Sequence, residues 1–318
     1  MFPDNQQSSE AKKKALTVGI AQYIKEIGRG PRGAKPLTRA QATDLFGQVL
    51  DGTVTDLEIG AFCLAMRIKG ETSEEMAGFL DATHARLNRI PATQRPLIVL
   101  PSYNGARKLP VLTPLLALLL AREGLPVLVH GTQTESRRIT ASSVLETLGI
   151  PTMAAVQPIT DGTVAHLDTG VLHTGLKRLL EVRQTVGLRN PGHSVVKLMQ
   201  PGVGTQIVVS SYTHPEYFSM ICDTFATLQM QAVLTRGLEG EVVSDPRRTP
   251  QIHGFVNGEH TELATQQPGT LSDVPGLPTE IDAATPPASP RPAPAGDAPV
   301  PESIARQVHH ITTIAARL

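Results

Sequence analysis

The residues best placed to do chemistry lie in the segment Pro101-Ser-Tyr-Asn-Gly-Ala-Arg-Lys108. It follows the apolar run Leu97-Ile-Val-Leu100 and precedes Thr113-Pro114 and a Leu-rich stretch. A loop between a strand end and a helix is where open α/β sheets bind anions, because free backbone N–H groups converge there. A loop that encloses phosphate is rich in glycine, so that the backbone can close on the anion. Here one glycine remains, Gly105, beside Tyr103, Asn104, Arg107 and Lys108. That composition suits phosphate contact by side chains and lacks an enclosed backbone cradle.

Other chemistry-bearing residues are more ordinary. Cations recur in pairs, at Arg107/Lys108, Arg137/Arg138, Lys177/Arg178 and Arg247/Arg248. Pairs at loops and helix starts can contact phosphates, although any one pair also reads as solvated surface. His130 closes an apolar run and reads as a hydrogen-bonded structural histidine. Glu239 and Glu241 flank Gly240; two carboxylates can hold magnesium, and in a loop they also cap helices or face water. His309-His310 has no further ligand at metal spacing, so no metal site is expected. No nucleophile stands beside a recognisable activating partner, and no catalytic residue is assigned. Cys63 and Cys222 sit in apolar helical patterns and read as buried thiols, which suits a reducing compartment.

The balanced total of 29 cations and 29 anions hides an asymmetry. Residues 259–318 carry three arginines against seven carboxylates, so the first 258 residues hold four cations in excess. Met1 to Leu16 is polar, with Lys12-Lys13-Lys14 and no signal-peptide core, and no apolar stretch is long enough for a bilayer. A cytoplasmic protein with no membrane partner is expected.

The elements that position these residues fall into four parts. Residues 1–93 read as a helical domain. Three capping-box patterns, Thr38-x-x-Gln41, Thr55-x-x-Glu58 and Thr72-x-x-Glu75, each begin an amphipathic stretch. An earlier helix is expected over 9–27. Residues 94–265 alternate strands and helices: strands at 97–100, 126–130, 206–210 and 232–235, and helices at 114–123, within 136–148, and at 215–228. Alternation of this kind predicts a mostly parallel sheet with right-handed crossovers. Thr113 is expected as the N-cap of the 114–123 helix. The stretch 164–201 is less regular, with helical pieces. Residues 266–301, rich in Pro and Ala, read as a disordered or semi-extended linker. Residues 302–318 read as a helix docking back on the body through Ile304, Val308, Ile311 and Ile314.

Several strings carry a family resemblance. Leu37-Thr-Arg39, Asp51-Gly-Thr-Val-Thr-Asp56 and Ala65-Met-Arg-Ile-Lys-Gly-Glu71, followed by an α/β domain, resemble the anthranilate phosphoribosyltransferase family (glycosyltransferase family 3). The class II nucleoside phosphorylases share that architecture. His130-Gly131, Leu145-Glu-Thr-Leu-Gly149, Val182-Arg183 and Gly187-Leu-Arg189 fall at the family's spacing. The resemblance implies an α/β fold: an N-terminal helical bundle domain plus a larger α/β domain with a mostly parallel sheet. It also implies hinge segments from about 165–200 that join the helical domain.

The departures are as informative. Active family members carry Gly-Thr-Gly-Gly-Asp where this chain has Pro101-Ser-Tyr-Asn-Gly105. His130-Gly-Thr-Gln133 replaces His-Gly-Asn-Arg, and of a Ser-Ser pair only Ser136 remains, followed by Arg137. The Asp-Glu pair that holds the donor's magnesium lies near Leu238-Glu-Gly-Glu241. Arg183, at the position that holds the acceptor carboxylate, is retained. Ser102-Tyr-Asn-Gly-Ala-Arg-Lys108, Leu112-Thr-Pro-Leu-Leu116, Thr213-His-Pro-Glu-Tyr217, Glu239-Gly-Glu241, Ile27-Gly-Arg-Gly30 and Val300-Pro-x-x-Ile304 resemble the YbiB-type subgroup. That likeness implies a transferase scaffold without transferase activity, no cofactor, and homodimers that bind nucleic acid with little sequence preference.

The expected interface therefore comprises Tyr103, Asn104, Arg107, Lys108, Arg137, Arg138, Arg183, Arg189 and Lys197, gripping single-stranded DNA or RNA. Tyr103 is the candidate stacking platform, with Tyr212 and Tyr217 weaker. Gly105, His130, Gly131 and Ser136 are what is left of a donor pocket. The alternative is a phosphoribosyltransferase that moves phosphoribose from phosphoribosyl pyrophosphate to an unidentified acceptor, with magnesium.

Overall fold

The structure is a computed structural model that describes residues 19–30, 32–135, 138–272, 274 and 300–318. The segments expected as a helix start over 9–18 and as the body of the linker over 275–299 lie outside the described residues, as do Ser136 and Arg137.

Four helices open the chain: α1 (Ala21–Ile27), α2 (Arg39–Asp51), α3 (Asp56–Lys69) and α4 (Ser73–His84). All three capping boxes form, each with the Thr hydroxyl on the N3 amide and the N3 side chain returned to the cap N–H. α2 and α4 pack closely because residue 78 is glycine. A Cβ there would stand 2.4 Å from the Arg39 carbonyl oxygen. Phe46, Phe62 and Phe79, all fully buried, interlock at the centre of the bundle.

The α/β part holds one eight-stranded sheet, ordered β3-β4-β2-β1-β5-β6-β7-β8. Its strands are β1 (Leu97–Pro101), β2 (Val127–His130), β3 (Thr152–Met153), β4 (Val164–Leu167), β5 (Gln206–Tyr212), β6 (Ala232–Arg236), β7 (Ile252–Val256) and β8 (Glu259–Ala264). The first six run parallel, and β7 and β8 are antiparallel. Strands β1 and β2 are buried on both faces, which is why their sequences are continuous apolar runs. Helices α5 (Thr113–Arg122), α6 (Ala141–Thr147) and α10 (Glu216–Thr227) make crossovers. Helix α7 (Thr169–Leu172) leads into α8 (Thr174–Val186) and α9 (Gly192–Leu198), which pack on α2 and α4. Helix α11 (Glu302–Ala315) seats Ile304, Ile311 and Ile314 against α5 and β7.

Two expectations change. The strands β3, β4, β7 and β8 were hidden in the sequence, although Asn257-Gly258 marks the β7–β8 turn with both residues at positive φ. Thr113 is the first residue of α5 and not its N-cap; its hydroxyl donates to Glu241 at 2.9 Å.

Parallel register decides where function gathers. Pro101 lies opposite His130, His130 opposite Leu167, and Tyr212 opposite Arg236. The loops after β1, β2, β4, β5 and β6 therefore leave the sheet on one edge, at the carboxyl ends of the strands. Among the described residues, no helix is long and apolar enough to cross a membrane.

Candidate functional site

The loop after β1 is tied to the turn after β6. The buried carboxylate of Glu241 accepts the backbone N–H of Asn104 (3.1 Å) and of Gly105 (2.9 Å). It also accepts the hydroxyls of Thr113 and Ser102. Asn104 donates its side-chain amide to the Gly240 carbonyl at 3.0 Å. Glu239, two residues earlier, turns the other way. One of its oxygens accepts the N–H groups of Arg107 (3.0 Å), Lys108 (3.0 Å) and Leu109 (3.3 Å). The glycines serve this closure: Gly105 has φ of 64°, and a Cβ on Gly131 would stand 2.0 Å from the Ser102 carbonyl oxygen.

These contacts bear on Glu239 and Glu241 as weak metal candidates beside an expectation of no metal. A magnesium ion needs carboxylate oxygens free to face it. The oxygens of Glu241 already hold four donors, and the N–H triplet holds Glu239. The residues present do not fit the ion as they stand. Among the described residues, no cluster of three or more His, Cys, Asp or Glu side chains is arranged to bind a metal.

A cavity of about 470 Å³ lies between the two domains, against the same sheet edge. It is lined by Arg67 at the end of α3, by Arg138, Arg183, Arg189 and Lys197, and by the segment Ser211–His214 with Tyr217. Five cations face three carboxylates, Glu71, Glu135 and Glu216, so the wall is net positive. The structure thus brings together Tyr103, Arg138, Arg183, Arg189 and Lys197. It sets Arg107 and Lys108 apart from them, exposed on the outer side of the loop.

Several expected contact residues are already engaged. Arg138 and Arg183 share the carboxylate of Glu135, with Arg138 at 2.7 Å. Burial pushes the Glu135 carboxyl up, but the two guanidinium groups outweigh it and hold it below the usual range. Arg189 donates to the Asn104 side-chain oxygen at 2.5 Å. The Lys197 ammonium donates to the Ser211 carbonyl at 3.1 Å; burial, with Arg189 nearby, pulls its pKa down to about 8.

Three further expectations are corrected. Tyr103 is 3% exposed and meets His193 edge-on at 5.7 Å between centroids, so its faces are closed to a base. Asn104 is equally buried, with its amide spent on Arg189 and Gly240. His130 is fully buried, as expected of a structural residue, but neither ring nitrogen has a hydrogen-bond partner. Burial pulls its pKa down to about 3, so it stays neutral. The residues that sequence reasoning missed are Arg67, Glu135 and His214. Arg67 donates to the Tyr217 hydroxyl at 3.4 Å, and the exposed His214 lines the cavity. Tyr212 and Tyr217 are half-buried there, Tyr212 against Phe218 and Tyr217 beside His214.

Comparison with known proteins agrees with this architecture. Residues 21–86 match the helical bundle domain of the glycosyl transferase family. Over 294 residues the chain is 37% identical to the uncharacterized protein YbiB of Escherichia coli K12, covering 90% of this chain and 91% of that protein. The chain belongs to the YbiB-type branch of the anthranilate phosphoribosyltransferase family. An anthranilate phosphoribosyltransferase of Beijerinckia indica is 28% identical over 78% of this chain and 75% of its own. The solved anthranilate phosphoribosyltransferase of Thermus thermophilus superposes with a TM-score of 0.59 at 20% identity, over 76% of this chain and 73% of its own. That of Saccharomyces cerevisiae, in complex with phosphoribosyl pyrophosphate and magnesium, gives 0.57 at 14% identity, over 77% and 72%. The likeness to both structures is one of fold.

Proposed function

We propose that this protein binds single-stranded nucleic acid, with little sequence preference and no catalysis, across the sheet edge between its domains. One observation carries the reading. The backbone donors of the 101–109 loop are taken by the chain's own Glu239 and Glu241, while Arg107 and Lys108 beside them stay exposed. An enclosed pyrophosphate would need the Asn104 and Gly105 donors that the buried Glu241 holds; a polyanionic strand lying outside relies mainly on the exposed cations. The half-buried Tyr212 and Tyr217 replace Tyr103 as the rings a base can reach. The free cysteines suit the reducing cytoplasm, where such a protein meets nucleic acid.

Arg183 on the cavity wall speaks for the transferase alternative, yet its guanidinium is paired to Glu135. Two assays separate the readings. Titration with a short single-stranded oligonucleotide at two salt concentrations should give steeply salt-dependent binding. Phosphoribosyl pyrophosphate with magnesium and a panel of aromatic acids should release no pyrophosphate. Turnover there, without strand binding, would reverse the assignment.

The same reading includes a homodimer. Helix α3 offers the surface: Leu57, Leu64 and Ile68 are 85%, 46% and 60% exposed and recur on one face. A second copy of the chain is the occupant that agrees with the family resemblance.

A further inference from the structure

Glu239 and Glu241 differ in one respect. Glu241 is buried; three of its four donors come from a loop locked by Gly105 and Gly240, and the fourth is Thr113 at the start of α5. Glu239 is only half-buried, and its carboxylate reaches the loop from a residue at φ of 52° on a surface turn. Three consecutive backbone N–H groups point at one of its oxygens. The side chains flanking those groups are the exposed cations Arg107 and Lys108. Successive N–H groups aimed at a single anionic oxygen, with cations on either side, form an anion-binding concavity. The chain fills it with its own carboxylate.

We infer that the N–H groups of Arg107, Lys108 and Leu109 form a phosphate subsite for which Glu239 is a displaceable plug. A phosphate oxygen makes the same three contacts and adds attraction to Arg107 and Lys108. Glu239 in turn rotates into water, where a carboxylate is well solvated. Glu241 stays in place and keeps the loop shaped. This deepens the proposed function by naming where one backbone phosphate of the strand sits. The plug lowers affinity by the fraction of time it occupies the site.

The test uses the full chain, Glu239→Ala and Glu239→Gln, with inorganic phosphate as the probe. The amide resonances of residues 107–109 are followed by NMR. They should shift at about tenfold lower phosphate in the Ala variant than in the native chain, the penalty expected of a plug in place about 90% of the time. The Gln variant, neutral but still an acceptor, should fall between the two. Unchanged amide signals across β1 and β2 certify the fold for both variants. Equal phosphate dependence in all three proteins overturns the inference, as does absence of any shift at residues 107–109 in both variants. A short single-stranded oligonucleotide is then titrated. Tighter binding by Glu239→Ala, with a salt slope steeper by about 0.7, supports the subsite in the strand-binding role. Phosphate binding to the Ala variant without strand binding keeps the subsite and removes the proposed function. Strand binding with no effect of Glu239 on either ligand does the reverse.

Discussion

The carboxylate of Glu241 rests 2.9 Å from the backbone N–H of Gly105, so the loop after the first strand is closed on an anion that belongs to the chain itself. The same group takes the N–H of Asn104 and two hydroxyls. Glu241→Ala leaves those buried donors without a partner. Hydrogen bonds to a charged acceptor contribute roughly 1.5–3 kcal/mol each, although they are not additive. A loss of about 3 kcal/mol or more is expected in urea unfolding. A loss below about 1 kcal/mol, the net value of one ordinary hydrogen bond, would mean that the loop keeps its shape without this carboxylate.

Charge reversal of both Arg107 and Lys108 to Glu should weaken single-stranded DNA binding and flatten its salt dependence. If each contacts one phosphate, the slope of log K against log salt should fall by about 1.4. Fluorescence anisotropy at two salt concentrations measures it. Both side chains are exposed, so the melting temperature should barely move. Unaltered binding would show that the strand lies elsewhere.

Acid should destabilise the fold through buried histidines. Burial lowers His84 to about 4, and His130 and His193 to about 3, from an ordinary value near 6.5. The folded state thus favours the neutral rings, while the unfolded chain takes up protons below about pH 6.5. Stability is complete above that value and declines as pH falls from about 6.5 toward about 4 for His84 and about 3 for His130 and His193. Each ring contributes a slope on the order of 1 kcal/mol per pH unit in that window. Urea midpoints at about pH 7.5 and about pH 5.5, on either side of the ordinary histidine value, measure it. His130→Asn, His84→Asn and His193→Asn should each lessen the decline; an unchanged midpoint in the native chain would refute the account.

Leu64→Glu with Ile68→Glu on α3 should leave a folded monomer if that face joins two copies. Sedimentation velocity reports the change. A native chain already monomeric at tens of micromolar would remove the dimer from the reading.

Much of this arrangement was legible in the residues. Continuous apolar runs announced β1 and β2, and the threonine boxes announced α2, α3 and α4, because both signals are local. The β7–β8 hairpin escaped despite Asn257-Gly258, since Ile252-His-Gly-Phe-Val256 mixes polar residues into a buried strand. The role of Glu241 was beyond reach for a different reason. Its partners Ser102, Asn104 and Gly105 lie some 136 to 139 residues away, and only the parallel sheet brings them together. Burial of Tyr103 depends on α9 carrying His193 over the loop, which no local pattern encodes.

The sheet terminates in two unlike strands. β3 is two residues long, and β8 turns the exposed Glu259, His260, Thr261 and Glu262 outward. One border is too short to template a neighbour's backbone, and the other repels it with charge. Ribbon-to-ribbon pairing is therefore disfavoured at both margins, which leaves the helices and loops as the better surfaces for contact between copies.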